Sequence, residues 1–108
     1  MAEQGIIDSI RRYMHAVEEA GVAVSFVVLF GSHAQGRPHK WSDIDLVVVS
    51  SQFDGQRRRE DIGVLWRTAA RIDSRIEPIA CGLKQWSDDT SSAIIEIARR
   101  EGQEIKAA

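Results

Sequence analysis

The chain lacks three features that would each point to a class of protein. It has no basic excess, because 14 Lys and Arg residues stand against 16 Asp and Glu residues, for a net charge of −2 and a pI near 5.9. It has one cysteine, Cys81, and its longest apolar run is AVSFVVLF at residues 23–30. We therefore expect no internal disulfide, no direct nucleic-acid binding and no membrane span. A charged N-terminal segment that is not a signal peptide and a lone cysteine favour a cytoplasmic protein.

The composition and the hydrophobic periodicity predict one small α/β domain over residues 1–108. The composition, 44% apolar and 28% charged, is that of an ordinary globular domain. Hydrophobic periodicity predicts helices at 4–20, 58–72 and 91–101, strands at 22–30, 43–50 and 75–81, a short helix after the first strand, and a polar connection at 83–92. This order predicts a small mixed β-sheet with flanking helices. The relative direction of the first two strands stays open, because the connection at 31–42 is at the lower limit for a parallel crossover.

The same periodicity predicts which residues face the core. The first strand is apolar on both faces and is expected in the centre of the sheet, whereas Pro78 predicts that the third strand lies at an edge or carries a bulge. Cys81, in an apolar run, is predicted to be a packed structural residue rather than a nucleophile. The inward-facing helix residues are predicted to be Ile6, Ile10, Met14 and Val17, then Ile62, Leu65, Trp66, Ala69 and Ile72, then Ile94, Ile97 and Ala98.

Two aspartates stand at the start of the second predicted strand, in SDIDLVVVS. Because side chains alternate along a strand, Asp43 and Asp45 face the same side, about 6–7 Å apart, while Ile44 and Leu46 face apolar packing. Neighbouring carboxylates repel each other unless a cation lies between them. Magnesium binds carboxylate oxygens and bridges to substrate phosphates. The pair therefore favours a metal site over a solvated strand end.

The segment before the aspartates, GSHAQG, has the composition of a phosphate-binding turn. A strand that ends at Gly31-Ser32 and turns into a helix presents backbone N–H groups to an anion, although a plain tight turn is the commoner meaning of such a pattern. Gly31 and Gly36 also have the spacing of a P-loop. That motif continues with Lys and then Ser or Thr, whereas Arg37 and Pro38 stand here, so a P-loop is excluded.

A third carboxylate, Glu77, lies in the third predicted strand, within RIEPIAC. Flanked by Ile76 and Ile79, it could share a metal ion or accept a proton from an attacking hydroxyl. It could equally be an edge-strand glutamate that faces water, since Pro78 beside it indicates an edge. The residues alone leave both interpretations open.

Together these residues resemble a known motif. Gly31-Ser32, ten intervening residues and Asp43-Ile44-Asp45 are similar to the G-S-x10-D-x-D motif of the DNA polymerase β-like nucleotidyltransferases. The short length, SDIDLVVVS and the later IEP resemble the minimal nucleotidyltransferase (MNT) family of bacteria and archaea. The strong match covers residues 22–50, and AIIEIARREGQEI is similar to how such proteins end.

The resemblance implies a polymerase β-like fold and attack by an acceptor hydroxyl on the α-phosphate of ATP or another nucleoside triphosphate, with pyrophosphate leaving. Two magnesium ions would activate the nucleophile and neutralise the leaving group. The residues implied are Gly31 and Ser32, with Arg37, for the phosphates, and Asp43, Asp45 and Glu77 as catalytic, metal-binding carboxylates. The chain departs from the pattern at His33, where an arginine or aromatic residue is usual, and at Gln35, where many relatives are basic. Both departures would weaken phosphate binding unless Arg37 or Lys40 compensates.

The resemblance also implies a partner. Similar minimal proteins are often paired with an all-helical HEPN protein, in some cases as antitoxin and toxin, and adenylylate that partner. Trp41 and Arg57–Arg59 are candidate contacts with a partner or nucleotide, although loop packing and a solvated helix face explain them as well. A non-catalytic subunit that neutralises a helical partner by binding is the alternative function. A transferase of the antibiotic-modifying kind would need an appended acceptor domain, which the sequence does not show.

Overall fold

The computed structural model describes residues 3–34, 43–55, 58–89 and 91–107. The helices are α1 (Gln4–Glu19), α2 (Arg59–Ile72), α3 (Leu83–Asp88) and α4 (Ala93–Glu101). The strands are β1 (Phe26–Phe30), β2 (Ile44–Ser50), β3 (Ile76–Gly82) and β4 (Gln103–Ile105), and a 3-10 turn at Ser51–Phe53 follows β2. None of the helices within these ranges has the length and apolar character that crossing a membrane requires.

The four strands form one mixed sheet in the order β3-β2-β1-β4. β1 runs antiparallel to β2 and β4, while β2 and β3 are parallel. The short connection from β1 to β2 thus makes an antiparallel return, and α2 provides the longer crossover that a parallel β2–β3 pair needs. The mixed α/β architecture, the central position of β1 and the edge position of the Pro78 strand are confirmed.

Each face of the sheet has its own apolar cluster. The first face packs against α1 and α2, with Ile10, Tyr13 and Leu65 buried between them and the strands. The Tyr13 hydroxyl donates a hydrogen bond of 3.0 Å to the Leu65 carbonyl and so links the two helices. The second face is covered by α3 and α4, and its cluster comprises Val28, Val47, Val49, Cys81, Ile95 and Ala98. Cys81 is buried there, as predicted.

The prediction that Trp66 faces the core is wrong. Its side chain is 51% exposed, whereas Leu65, Thr68 and Ala69 are buried. Successive helix residues lie about 100° apart around the axis, so a helix that rests on Leu65 and Ala69 turns Trp66 away. Thr68 faces the core in place of Trp66. The apolar spacing did not predict this, because threonine carries a hydroxyl group.

For α4, the prediction that Ala98 faces inward is confirmed, whereas the same prediction for Ile94 and Ile97 is wrong. Ile94 and Ile97 are 47% and 39% exposed, while Ile95 and Ala98 are buried on the second face. Both i, i+3 pairs are apolar, and periodicity alone does not distinguish them. The sheet selects Ile95 and Ala98, because Ala98 lets α4 approach β1 closely, and the other pair is left on the outer surface.

The connection predicted at 83–92 instead contains α3. Asp54 Oδ1 accepts a hydrogen bond of 3.0 Å from the Lys84 backbone N–H and so holds the start of α3. The Arg99 guanidinium donates to the carbonyls of Trp86 and Asp89 and holds its end. These contacts join residues distant in sequence, which explains why local pattern did not predict the helix.

The strand β4 was not predicted either, and it depends on Gly102. This glycine ends α4, as predicted, and the chain pairs with β1 from the next residue, Gln103 opposite Leu29. A Cβ atom at Gly102 would clash with the Ala98 carbonyl and with a methyl group of Val28. The helix-to-strand corner therefore has no room for a side chain.

We expect Gly102→Ala to destabilise the fold by about 1–3 kcal/mol, because it forces a methyl group against packed backbone. Gly5→Ala is the matched control, since a Cβ there meets nothing within 4 Å and alanine favours the helix by about 0.5–1 kcal/mol. Urea unfolding of both variants measures the difference. Equal stability of the two variants would contradict the packing described for Gly102.

Candidate functional site

Strand register brings Phe30, Asp45 and Glu77 into one row across the sheet. Asp45 of β2 pairs with Phe30 of β1 on one side and with Glu77 of β3 on the other. Partners in register project from the same face of a sheet. Asp45 is two residues from Val47, so the row lies on the second face, beyond the part that α3 and α4 cover.

Asp43 is the residue immediately before β2 and lies next to this row. The Ile44 backbone N–H donates a hydrogen bond of 2.8 Å to the Arg75 carbonyl, which fixes the start of β2 beside β3. Ile44 and Leu46 are completely buried on the first face, as the predicted alternation requires. Asp43 and Asp45 therefore share the other face, and Asp43 is exposed at its border.

The three carboxylates interact electrostatically. Loss of hydration raises the pKa of Glu77, and the charges of Asp43 and Asp45 and a hydrogen bond with Asp43 raise it further. Burial raises the pKa of Asp45, the charge of Asp43 adds to this, and His33 opposes it. Glu77 is exposed on the edge strand β3, and its charge interacts with those of Asp43 and Asp45. Its predicted part in metal binding or proton transfer stays a prediction. We call Asp43, Asp45 and Glu77 the carboxylate row.

Gly31 carries the backbone over the Asp45 carboxylate. Its φ is +78°, and a Cβ atom there would lie 2.5 Å from Asp45 Oδ2. Only glycine combines this left-handed conformation with so close an approach. Ser32, His33 and Ala34 continue as a turn. Of the three residues predicted to contact phosphate, Gly31 lies beside Asp45, Ser32 follows it in the turn, and Arg37 is outside the described residues.

Several predicted contacts fall outside the described residues and are not placed. They are Arg37, Lys40, Trp41 and Arg57. Gln35, noted as a departure from the motif, lies outside the described residues as well. Arg58 and Arg59, which complete the predicted basic run, lie at the start of α2 and are exposed. Of the residues predicted to bind phosphate, Gly31 and Ser32 lie within the described residues and Arg37 does not.

The donor chemistry of the carboxylate row suits a hard divalent cation, because all its ligands are carboxylate oxygens and their repulsion would be relieved by positive charge. Within the described ranges, however, no three His, Cys, Asp or Glu side chains are grouped closely enough to form a ready-made ion site. A cation would have to draw the three carboxylates closer together.

His33 is a site residue that sequence reasoning noted only as a departure from a motif. It is 6% exposed, although it lies in a turn, and it interacts with the Asp45 carboxylate. The sequence signal that could have identified His33 was its position two residues after Gly31. Burial of a polar turn residue depends on packing that the sequence does not display.

The family of the chain follows from a comparison with models of known families. The model of the nucleotidyltransferase domain family matches residues 10–100, and the chain belongs to that family. A search of the curated proteins found no relative that matches the chain.

Two solved structures show the same fold. A candidate nucleotidyltransferase from Sulfolobus solfataricus is 16% identical, with a TM-score of 0.65 over 92% of this chain and 78% of that one. A chain from a toxin–antitoxin complex with AMP-PNP is 18% identical, with a TM-score of 0.60 over 91% of this chain and 73% of that one. At these identities the likeness concerns the fold alone.

We expect Gly31→Ala to displace the Asp45 carboxylate and to abolish divalent-cation binding. Gly55→Ala is the matched control, because Gly55 has a similar φ of +71° but nothing within 4 Å of its added Cβ. Both variants should lose about 1–2 kcal/mol from left-handed strain, whereas only Gly31→Ala should lose Mn²⁺ binding in a calorimetric titration. Equal Mn²⁺ affinity in the two variants would contradict the close approach of Gly31 to Asp45.

We expect Asp43→Asn to raise the melting temperature of the protein in EDTA at pH 7 by about 1–3 °C, a small gain because water screens the row. Raised pKa values mean that folding binds protons at Asp45 and Glu77, so their contribution to stability falls as pH rises through the raised pKa values. Removal of the Asp43 charge relieves this loss, and the gain should shrink as pH falls through the raised pKa values of Asp45 and Glu77, because these two carboxyl groups then become neutral. Glu104→Gln, at the opposite edge of the sheet, should show no such gain. Equal gains in both variants would indicate a general charge effect.

Proposed function

We propose that the chain is a magnesium-dependent nucleotidyltransferase that moves AMP from ATP to a hydroxyl group of a partner protein. Family membership supports the reaction class. The observation that carries the proposal is the carboxylate row with the Gly31 turn directly above Asp45. This combination places candidate ligands for a cation beside candidate ligands for phosphate.

Asp43, Asp45 and Glu77 would hold the magnesium, two ions in our proposal. When bound, the ions would neutralise phosphate charge and promote ionisation of the acceptor hydroxyl. Gly31 would let the triphosphate approach the backbone, and the Ser32 hydroxyl would donate to a β- or γ-phosphate oxygen. Arg37 would add a positive charge to the same group. AMP-PNP in the similar toxin–antitoxin structure supports an adenine nucleotide.

Glu77 would also be the proton acceptor for the attacking hydroxyl. A carboxylate with a raised pKa takes a proton more readily than an ordinary one, and the pKa of Glu77 is raised. Its exposed position on the edge strand β3 leaves it accessible to a macromolecular acceptor. An acceptor presented by another protein therefore suits the geometry of this edge.

The partner in our proposal is a helical, HEPN-type toxin, encountered in the cytoplasm. The toxin–antitoxin complex of similar fold supports a protein partner. A second candidate function is neutralisation of that partner by binding alone. The exposed Ile94 and Ile97 on one side of α4 favour it, because paired apolar side chains on an outer helix surface are suited to protein contact.

The test is transfer of label from [α-³²P]ATP to protein in a lysate of the source organism with magnesium. We expect one labelled protein, and a loss of more than about 100-fold in Asp43→Asn and Asp45→Asn, since loss of a ligand exceeds the 10- to 100-fold cost of an outer-shell residue. Glu104→Gln should label as the wild type does.

The two functions diverge in the aspartate variants. Absence of label with wild-type protein, while wild type and both aspartate variants retain the same partner, would contradict the transferase and support the binding subunit. Label that persists in the variants would contradict the assigned role of the carboxylate row.

A further inference from the structure

The backbone of Arg75 lies beside the carboxylate row. Arg75 immediately precedes β3, and its carbonyl accepts a hydrogen bond of 2.8 Å from the Ile44 N–H, which stands between the two aspartates of the row. Next along β3, Ile76 belongs to the first-face cluster and Glu77 to the row on the second face. Because side chains alternate along a strand, continuation of this pattern would direct the Arg75 side chain to the second face as well.

The Arg75 guanidinium is, however, held by Asp73. Its Nε and Nη2 donate hydrogen bonds of 3.0 and 2.8 Å to Asp73 Oδ1 and Oδ2, and the Arg75 backbone N–H donates a third bond of 3.1 Å to Oδ1. A pair with two parallel bonds of this kind is among the stronger ion pairs. Among the residues that the structure describes, the other ion pair joins Arg99 to Glu96 on α4. No described arginine or lysine therefore forms an ion pair with the carboxylate row.

Asp73 belongs to the first-face layer of the fold. It directly follows α2, which packs on the first face, and its side chain is only 12% exposed. The hydrogen bond from Arg75 lowers the pKa of Asp73, and the charge of Arg12, on the first-face helix α1, also lowers it. The ion pair thus keeps the guanidinium charge at the end of α2, although the backbone of Arg75 adjoins the row.

We propose that Asp73 is a positioning residue that retains the Arg75 guanidinium on the first-face side of the sheet and so leaves the negative charge of the carboxylate row available to a divalent cation. This inference rests on the proposed function, since it assigns the row a cation to bind. The planar fork of an arginine matches any carboxylate. An Arg75 side chain released from Asp73 would therefore pair with the row and compete with the ion.

The test is Mn²⁺ binding to the full chain without nucleotide, measured by calorimetry, together with the melting temperature. Asp73→Ala removes the acceptor of the guanidinium. We expect it to weaken Mn²⁺ binding about 5- to 10-fold, the effect in water of one positive charge about 6–8 Å from a divalent ion. Arg75→Ala and the double variant Asp73→Ala/Arg75→Ala should bind as the wild type does, because both lack the competing charge. Glu96→Ala, which breaks the ion pair on α4, is the control and should also bind as the wild type does.

Wild-type Mn²⁺ affinity in a folded Asp73→Ala variant would overturn the inference. Equal weakening in Asp73→Ala and in the double variant would also overturn it, because the loss would then come from the altered turn and not from the released charge. If Asp73→Ala does not fold, Asp73→Asn, which keeps an acceptor for the Arg75 N–H, replaces it in the single and double variants. Failure of the wild-type protein to bind Mn²⁺ would overturn the proposed function as well, whereas wild-type binding that the Asp73 variant retains overturns this inference alone.

Discussion

Repulsion among Asp43, Asp45 and Glu77 is the constraint on which the site depends. The register of β2 with β3 places Asp45 opposite Glu77, and Asp43 lies two residues from Asp45 on the same face, so their charges act on one another. The fold raises the pKa of Asp45 and Glu77 and so carries an electrostatic cost in the absence of a cation. Carboxyl groups whose pKa values are raised in this way are typical of functional sites.

Strand β2, which carries Asp45, is packed on both of its faces. Ile44, Leu46 and Val48 are buried against α1 and α2, while Val47 and Val49 are buried under α3 and α4. This packing fixes the backbone of Asp45 on a rigid element, which a site needs for accurate geometry. Among the described residues, α3 and α4 pack over the cluster that contains Val47 and Val49, while Asp43 and Glu77 are exposed.

Sequence predicted best where local pattern and packing agree. The buried stripe of α1 and the alternation of Ile44, Asp45 and Leu46 could be read directly, because each has a single period and one apolar side. The rotation of α4 could not, since both Ile94/Ile97 and Ile95/Ala98 have helical spacing and the sheet makes the choice. α3 and β4 were missed because their ends depend on Asp54, Arg99 and Gly102, which act across the fold. The sequence alone made Asp43, Asp45 and Glu77 candidate site residues, because carboxylates are typical metal ligands. The burial of His33 is visible only in the tertiary structure.

Family membership supports nucleotidyl transfer, and the role proposed for the carboxylates is the part that most needs direct observation. Crystals grown with Mn²⁺ and a non-hydrolysable ATP analogue would provide it through anomalous scattering at the manganese edge. We expect an anomalous peak bounded by Asp43, Asp45 and Glu77, with the triphosphate against Gly31 and Ser32. A bound nucleotide elsewhere on the protein, with no manganese at the carboxylate row, would contradict this assignment.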